Sequence, residues 1–371
     1  MEEHAGELVR ALDDMADLTV LTWPDRHVPL RRGRIINRLT GRLRRDAEMM
    51  QAEKVDAWLA LSAPLTALAP YVDAPVYGYV HGSDALKPWM PYNDALDKAD
   101  RLLKRLGLPT SVTPAWRRRK VRHGLASARL IFANSRYTAD LALEFAAVDP
   151  AKVHVVHPGV NADYLRVVRE PAEGLQILTI ARLQPAARRK NVDGLIEAMA
   201  LLMDDLPVSL TVIGDGDDLP RLRALAEAKG LDRRVTFTGD ATRSEIGLHL
   251  ARANVLVLAV KPTATDVEGF GMVYVEAACA GVPSIAVATG GVRDAIEDGH
   301  TGILLPDPAP QTIADGVRRF AYTRHMFREE HIREFGRERT AAHTTRRLWS
   351  LIESDLKHSF DSSRHQTHLA G

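Results

Sequence analysis

Short apolar runs and amphipathic segments alternate along most of this chain. LQILTIA (175–181), VSLTVIG (208–214), RVTFTG (234–239), NVLVLAV (254–260), VPSIAVA (282–288) and TGILLPD (301–307) are runs of strand length. Between them, 191–203, 218–230, 243–253, a segment starting near Gly271 and 290–299 have helical spacing. Strands without a polar face, alternating with helices, make a parallel sheet covered on both sides. Upstream the theme recurs less regularly, with a helix at 2–15 and strands predicted at 17–23, 55–63, 74–82, 129–135 and 152–160. The pattern therefore predicts an α/β protein of two doubly wound domains, 1–160 and 161–323, facing across a cleft that is the default ligand site. After residue 307 there is no strand. Helical spacing at 312–323, 328–336 and 337–356 makes 324–356 a set of C-terminal helices that pack on the second domain or cross back to the first. The polar, aperiodic stretch 357–371 reads as a disordered tail.

Composition narrows this picture without redirecting it. Charged residues are 26% and hydrophobic residues 46%, an ordinary soluble balance, and the formal net charge of +1 does not advertise nucleic acid. Cys279 is the single cysteine, which excludes an internal disulfide and fits a reducing cytoplasm. No run approaches the roughly 20 apolar residues of a membrane span, and MEEHAGELVR is acidic and helix-like, unlike a signal peptide.

The chemistry concentrates where strands end. In DVEGFGMVYVEA (266–277), Gly269 and Gly271 allow close backbone approach to a ligand. A helix beginning near Gly271 would direct its first amides at an anion or at hydroxyls. Glu268 lies before that helix and Glu276 inside it, roughly 7–8 Å further along the axis. They are either an exposed loop acid and a polar-face acid, or the two ends of a site for a long ligand such as a nucleotide sugar. In ARLQPAARRKN (181–191), Arg182 and Lys190 suit a diphosphate, while Arg188 and Arg189 read as a solvated basic loop. GDGDD (214–218) lacks the GxGxxG spacing of a dinucleotide site, and Asp215 and Asp217 read as a turn and helix cap rather than a metal pair. The end of TFTGD (236–240) can meet a base. His81, in YVHGSD, is either a turn histidine or a donor to a sugar hydroxyl. His157 reads as a turn residue. The segment 26–45 is rich in arginine and places Ile35, Ile36, Leu39 and Leu43 on one helical face. It either packs on its own domain or lies on an anionic membrane surface. WRRRKVRHG (116–124) reads as a charged helix.

Taken together, these motifs resemble the retaining glycosyltransferases of family 4, which have the GT-B fold. The resemblance is strong from about 129 to 320. It is carried by ARLQPAARRKN, LTVIGDGDDL, VTFTGD, DVEGFGMVYVEAACAGVPSIAVATGGVRDAIEDG and TGILLPD, with Glu268 and Glu276 matching the family's Glu-x7-Glu motif. It implies transfer of a hexose from a nucleoside diphosphate sugar to a hydroxyl acceptor, lipid-linked or small, with no metal and no separate cofactor. It implies that Arg182 and Lys190 hold the donor diphosphate, Glu276 the ribose, and Glu268 the donor sugar. The amides of Gly269, Phe270, Gly271 and Met272 would hold sugar hydroxyls and phosphate. Gly214 and the turn Phe237, Thr238 and Gly239 would line the nucleotide, and His81 would stand near the sugar. Family members usually open with a strand and a Gly-rich loop, whereas this chain opens in what reads as the following helix. The first domain is therefore expected to lack its first strand, which also motivates a catalytically inactive, nucleotide-sugar-binding alternative. Arg182 and Lys190 are further apart than usual in the family. A nucleotide-sugar epimerase is a further, weaker alternative.

Overall fold

The computed structural model describes residues 2–22, 30–36, 39–40, 42–82, 84, 105, 112–263 and 267–369, with side chains described for fewer. The chain divides into two units, one made of 1–159 with 341–371 and the other of Val160–Thr340. Of the C-terminal helices expected over 324–356, the part up to Thr340 belongs to the second unit and the part from Ala341 onward to the first.

In the first unit the chain forms α1 (Glu2–Asp13), β1 (Thr19–Leu21), β2 (Arg34–Ile36), α2 (Leu43–Ala52), β3 (Trp58–Ala60), β4 (Val76–Val80), α3 (Val112–Ser127), β5 (Ile131–Ala133), α4 (Arg136–Ala146) and β6 (Val153–Val155). A 3-10 helix, Ala63–Tyr71, lies between β3 and β4. Strands β3-β4-β5-β6 make a four-stranded parallel sheet, and β1 and β2 form a separate parallel pair. Alternation along β4 shows how this sheet is buried. Val76 and Val80 enter one core with Ala47, Met50, Leu68 and Leu125, from the α2, 3-10 and α3 side. Tyr77 and Tyr79 enter the other, with Leu8 and Leu12 of α1 and with Leu348 and Ile352. Strand side chains alternate faces, so both faces must be apolar and both must be covered. Leu348 and Ile352 belong to the last helix, α12 (Ala341–Leu369). Asp355 of α12 accepts hydrogen bonds from Tyr77 Oη (2.8 Å) and Arg129 Nε (2.9 Å). That pairing ties the helix to the sheet and offsets the polar groups' desolvation cost.

Two expectations are corrected here. The backbone of α12 continues through 357–369, where a disordered tail is expected, because each added residue of an established helix gains a hydrogen bond. The predicted basic helix over 26–45 lies partly outside the described residues. Within them, Arg34–Ile36 is a strand paired with Thr19–Leu21, and a helix begins only at Leu43. Ile35 and Ile36 are β-branched and find an extended partner there, so Ile35, Ile36, Leu39 and Leu43 do not share one helical face.

The second unit runs β7 (Leu175–Ile180), α5 (Val192–Ala200), β8 (Val208–Ile213), α6 (Leu219–Ala228), β9 (Val235–Gly239), α7 (Arg243–Arg252), β10 (Val255–Leu258), α8 (Met272–Cys279), β11 (Ser284–Val287), α9 (Val292–Ala295), β12 (Gly302–Leu305), α10 (Pro310–Thr323) and α11 (Glu329–Arg337). Each strand falls inside its predicted range. The sheet is parallel with order β12-β11-β10-β7-β8-β9. This order reverses between β7 and β10, and in open α/β sheets ligands bind beyond the carboxyl ends of the strands at such a point. Helix α8, which follows β10, is braced from behind. Gly336 of α11 lies against the Cys279 backbone, so any side chain there would push the helices apart. Arg333 donates to the carbonyls of Cys279 (3.1 Å), Leu165 (3.3 Å) and Val167 (2.7 Å).

Candidate active site

Two loops meet at the switch point, one leaving β7 and one leaving β10. After β7 the chain is woven into the GDGDD turn. Ala181 N donates to Ile213 O (3.0 Å), Leu183 N to Asp215 O (2.9 Å) and Asp218 N to Leu183 O (2.8 Å). Gly214 and Gly216 have φ of +137° and +145°, and a Cβ on either would strike the Ala181 or Leu183 carbonyl. Only glycine serves at both places. Pro185 then opens a 3-10 helix, Pro185–Lys190. Asn191 ends it at φ 59°, a left-handed conformation that asparagine tolerates better than most residues. The buried Asn191 amide donates to Ala259 O and Pro308 O, both at 2.9 Å, which fastens the loop to the ends of β10 and β12.

This turn separates three consecutive cations. Arg188 turns to Asp218, with Nη2 2.7 Å from Oδ1, and Arg221 donates to both Asp218 oxygens at 2.9 and 2.6 Å. Lys190 Nζ donates to Glu268 Oε2 at 2.7 Å, and Arg189 Nη1 to the same oxygen at 3.3 Å. The Arg189 carbonyl also accepts from Lys261 N at 2.7 Å. Arg182 is exposed and has no hydrogen-bond or ion-pair partner among the described residues. The sequence reading of the arginines is thus partly reversed. Arg189, expected in solvent, is only 20% exposed and reaches the site glutamate. Residue type alone cannot say which way a 3-10 turn points each side chain.

Glu268 is held by its backbone as well. Its carbonyl accepts from Gly291 N at 2.9 Å, and Gly290 packs against it at φ +54°. Burial raises the pKa of its carboxyl, but Lys190 and then Arg189 outweigh that effect and hold it below the ordinary range. Oε2 takes both cations, while Oε1 has no hydrogen bond among the described residues, so it can accept from a ligand hydroxyl. Gly271 caps α8 at φ +94°, where a Cβ would collide with the Tyr274 ring. That ring is fixed by its hydroxyl, which donates to Leu258 O at 2.7 Å. Among the described residues no side chain caps the helix, and its first turn carries no acid; the amides of Met272 and Val273 have no intrahelical acceptor and favour an anion. Glu276 lies on the second turn, half-buried. The buried Cys279 thiol beneath it is pushed up to about 12 by burial and by the Glu276 charge, which makes it a packing residue and not a nucleophile.

Gly214 N donates to Gly239 O at 2.9 Å and so joins the ends of β8 and β9. Phe237 is half-buried under the Arg223 guanidinium, 5.5 Å from the ring centroid. Thr238 is exposed, its Oγ1 3.3 Å from Val212 O. Gly239 has φ +78° and open space where a Cβ would stand. Asp215 accepts from Gly216 N at 2.8 Å, a turn contact, and the cap position of α6 falls to Asp218. Among the described residues no cluster of three or more His, Cys, Asp or Glu could hold a metal.

His81 belongs to the first unit, apart from these residues. It follows β4, its N–H donates to Asp84 Oδ1 at 2.9 Å, and its Nε2 is 3.2 Å from Leu61 O. Burial lowers its pKa, with Asp84 opposing, which favours a neutral imidazole. Sequence reasoning missed Asp84, which also accepts from Ala63 N at 2.8 Å, and it missed Arg189, Asn191 and Asp218. Of these, only Asn191 carried a local signal, as a left-handed-tolerant residue directly after a cation.

Comparison with known proteins agrees with this architecture. The model for glycosyl transferases group 1 matches residues 162–339, and that for Glycosyltransferase Family 4 matches residues 1–164. The chain belongs to the family 4 glycosyltransferases. It is 32% identical over 245 residues to the D-inositol 3-phosphate glycosyltransferase of Streptomyces bingchenggensis, covering 59% of this chain and 52% of that one. It is 28% identical over 279 residues to the GDP-mannose-dependent alpha-(1-6)-phosphatidylinositol monomannoside mannosyltransferase of Mycobacterium tuberculosis, covering 70% and 65%. The chain thus spans between half and two thirds of the length of these relatives. Sucrose-phosphate synthase from Thermosynechococcus elongatus superposes with a TM-score of 0.70 at 19% identity, over 94% of this chain and 91% of that one. Anabaena HepE in complex with UDP and glucose gives 0.68 at 17%, over 95% of each. At such identities the likeness speaks to the fold, which is GT-B.

Proposed function

We propose that the protein transfers a hexose from a nucleoside diphosphate sugar to an acceptor hydroxyl with retention of configuration. The observation that carries this reading is the Lys190–Glu268–Arg189 cluster beside the α8 N-terminus at the switch point. In this reaction the bond from the anomeric carbon to the diphosphate oxygen breaks, and a bond to the acceptor oxygen forms on the same face. The acceptor's proton passes to the departing phosphate oxygen. Negative charge grows on the diphosphate, and Lys190, Arg182 and the amides of Gly269, Phe270, Gly271 and Met272 would stabilise it. Glu268 would accept from a sugar hydroxyl through Oε1, and Glu276 from the ribose. The Phe237–Gly239 turn with Gly214 would line the base, and His81 would serve the donor sugar from the first unit. The protein would act in the cytoplasm, on a lipid-linked or small acceptor. Inositol phosphates are the first acceptors to test, since the relatives' names specify inositol compounds. No described helix is long and apolar enough to cross a membrane.

The test is incubation with UDP- and GDP-hexoses, reading diphosphate release and the anomeric configuration of the product by NMR. Release with a product of the donor's own anomeric configuration is expected. Inversion overturns the retaining mechanism. Calorimetric binding of a sugar nucleotide without hydrolysis or transfer overturns the enzymatic reading.

A further inference from the structure

Arg189 and Lys190 place two cations on one carboxylate oxygen, at 3.3 and 2.7 Å, with all three side chains at most 20% exposed. A diphosphate arriving at the α8 N-terminus would compete with Glu268 for these cations. The lysine ammonium is a compact point charge with three rotatable donors and can turn toward phosphate, whereas the guanidinium is a planar fork suited to remain on a carboxylate. The backbone separates the two roles further. Arg189 O is bonded to Lys261 N at 2.7 Å, so residue 189 is pinned to the loop that carries Glu268. Were Lys190 the only partner, its transfer to phosphate would leave a half-buried carboxylate unpaired beside another anion, which is costly.

We propose that Arg189 is a positioning residue that keeps the Glu268 carboxylate in place, with Oε1 toward the ligand, while Lys190 engages the donor diphosphate. This rests on the transferase reading above and adds a division of labour between adjacent cations. The groups acting on Glu268 among the described residues are Lys190, Arg189 and the neutral Tyr274 hydroxyl. Removing Arg189 therefore leaves Lys190 alone against burial.

The experiment has two readouts. The Glu268 carboxylate is followed by carbon-13 NMR in glutamate-labelled full-length protein, its signal assigned by its loss in Glu268→Gln. It is titrated with acid, with and without UDP or GDP. The midpoint should stay low in the wild type under both conditions. It should move to higher pH in Arg189→Met, further still with the diphosphate present, and return most of the way in Arg189→Lys. An unmoved midpoint in Arg189→Met overturns the proposal. The second readout is kinetic. Arg189→Met should lower kcat by about tenfold or more with donor KM within about twofold, as loss of a charged hydrogen bond made to the reacting arrangement does. A raised donor KM with kcat retained would make Arg189 a phosphate ligand and overturn the positioning role. If the wild type turns over no sugar nucleotide, the transferase reading falls and the titration alone still decides the place of Arg189.

Discussion

Arg188 and Lys190 are two residues apart on one turn, yet they end in regions of different character. At Asp218 the carboxylate is 5% exposed, and both its oxygens are taken by two arginines whose side chains are 53% and 40% exposed. At Glu268 the carboxylate and both cations are 15–20% exposed, one oxygen is shared by the two cations, and the other is open. The first is a closed clamp, with both carboxylate oxygens occupied. The second leaves one carboxylate oxygen without a hydrogen bond among the described residues, in a loop shaped by Gly271, Gly290 and Gly291. A complete network stabilises the native state, whereas a carboxylate oxygen left open at a strand end is what the proposed donor site requires.

The largest effect that would break this contrast is on turnover. Lys190→Ala should lower kcat by about 10²–10³ if the ammonium meets leaving-group charge. Arg182→Ala should act alike if its free guanidinium swings onto the diphosphate. Near-normal steady-state rates in both would move the anion site elsewhere. Next is Gly271→Ala. It places a Cβ in the left-handed region against Tyr274 and should lower stability by about 1–3 kcal/mol, measured by urea unfolding. Asp218→Ala should cost a similar amount, about 1–3 kcal/mol, by removing hydrogen bonds to two charged groups, with donor KM nearly unchanged. A large KM effect there would show that the clamp and the site are one unit.

The clamp also predicts a pH dependence. Its arginines, Arg221 first, hold the Asp218 carboxyl well below the ordinary carboxylate range. A depressed folded pKa contributes stability that is complete above the ordinary carboxylate range and is lost as pH falls toward the folded value. Unfolding free energies of wild type from neutral pH to about pH 3 should therefore fall more steeply than those of Asp218→Asn. Equal slopes would mean the clamp contributes no pH-dependent stability. The smallest expected effect is from Arg188→Ala, under about 1 kcal/mol, because that arginine is half-exposed and Arg221 remains on the carboxylate.

Much of the architecture was legible in the hydrophobic pattern. Every strand of the second unit lies inside a predicted run; β10 and β11 are buried on both faces, whereas β9 alternates, with Thr236 and Thr238 exposed. The first unit was less so. β2 was missed because three residues on a two-stranded edge, with Arg34 and Ile35 exposed, carry no periodic signal. The helical pattern after 337 was visible, but its attachment to the first unit rests on Tyr77 and Arg129 meeting Asp355, residues more than 200 positions away.

By itself, then, the sequence determined the alternation of strands and helices, the placement of glycines where φ must be positive, and the position of two glutamates around a helix start. Those are local properties, carried by side-chain polarity and backbone sterics within a few residues. The tertiary structure alone decided the pairing of charges: Arg188 with Asp218, Arg189 and Lys190 with Glu268, and Arg182 with none of the described residues. Charge is not directional along a chain, so its partner is whatever the packing of strand ends brings within about 3 Å.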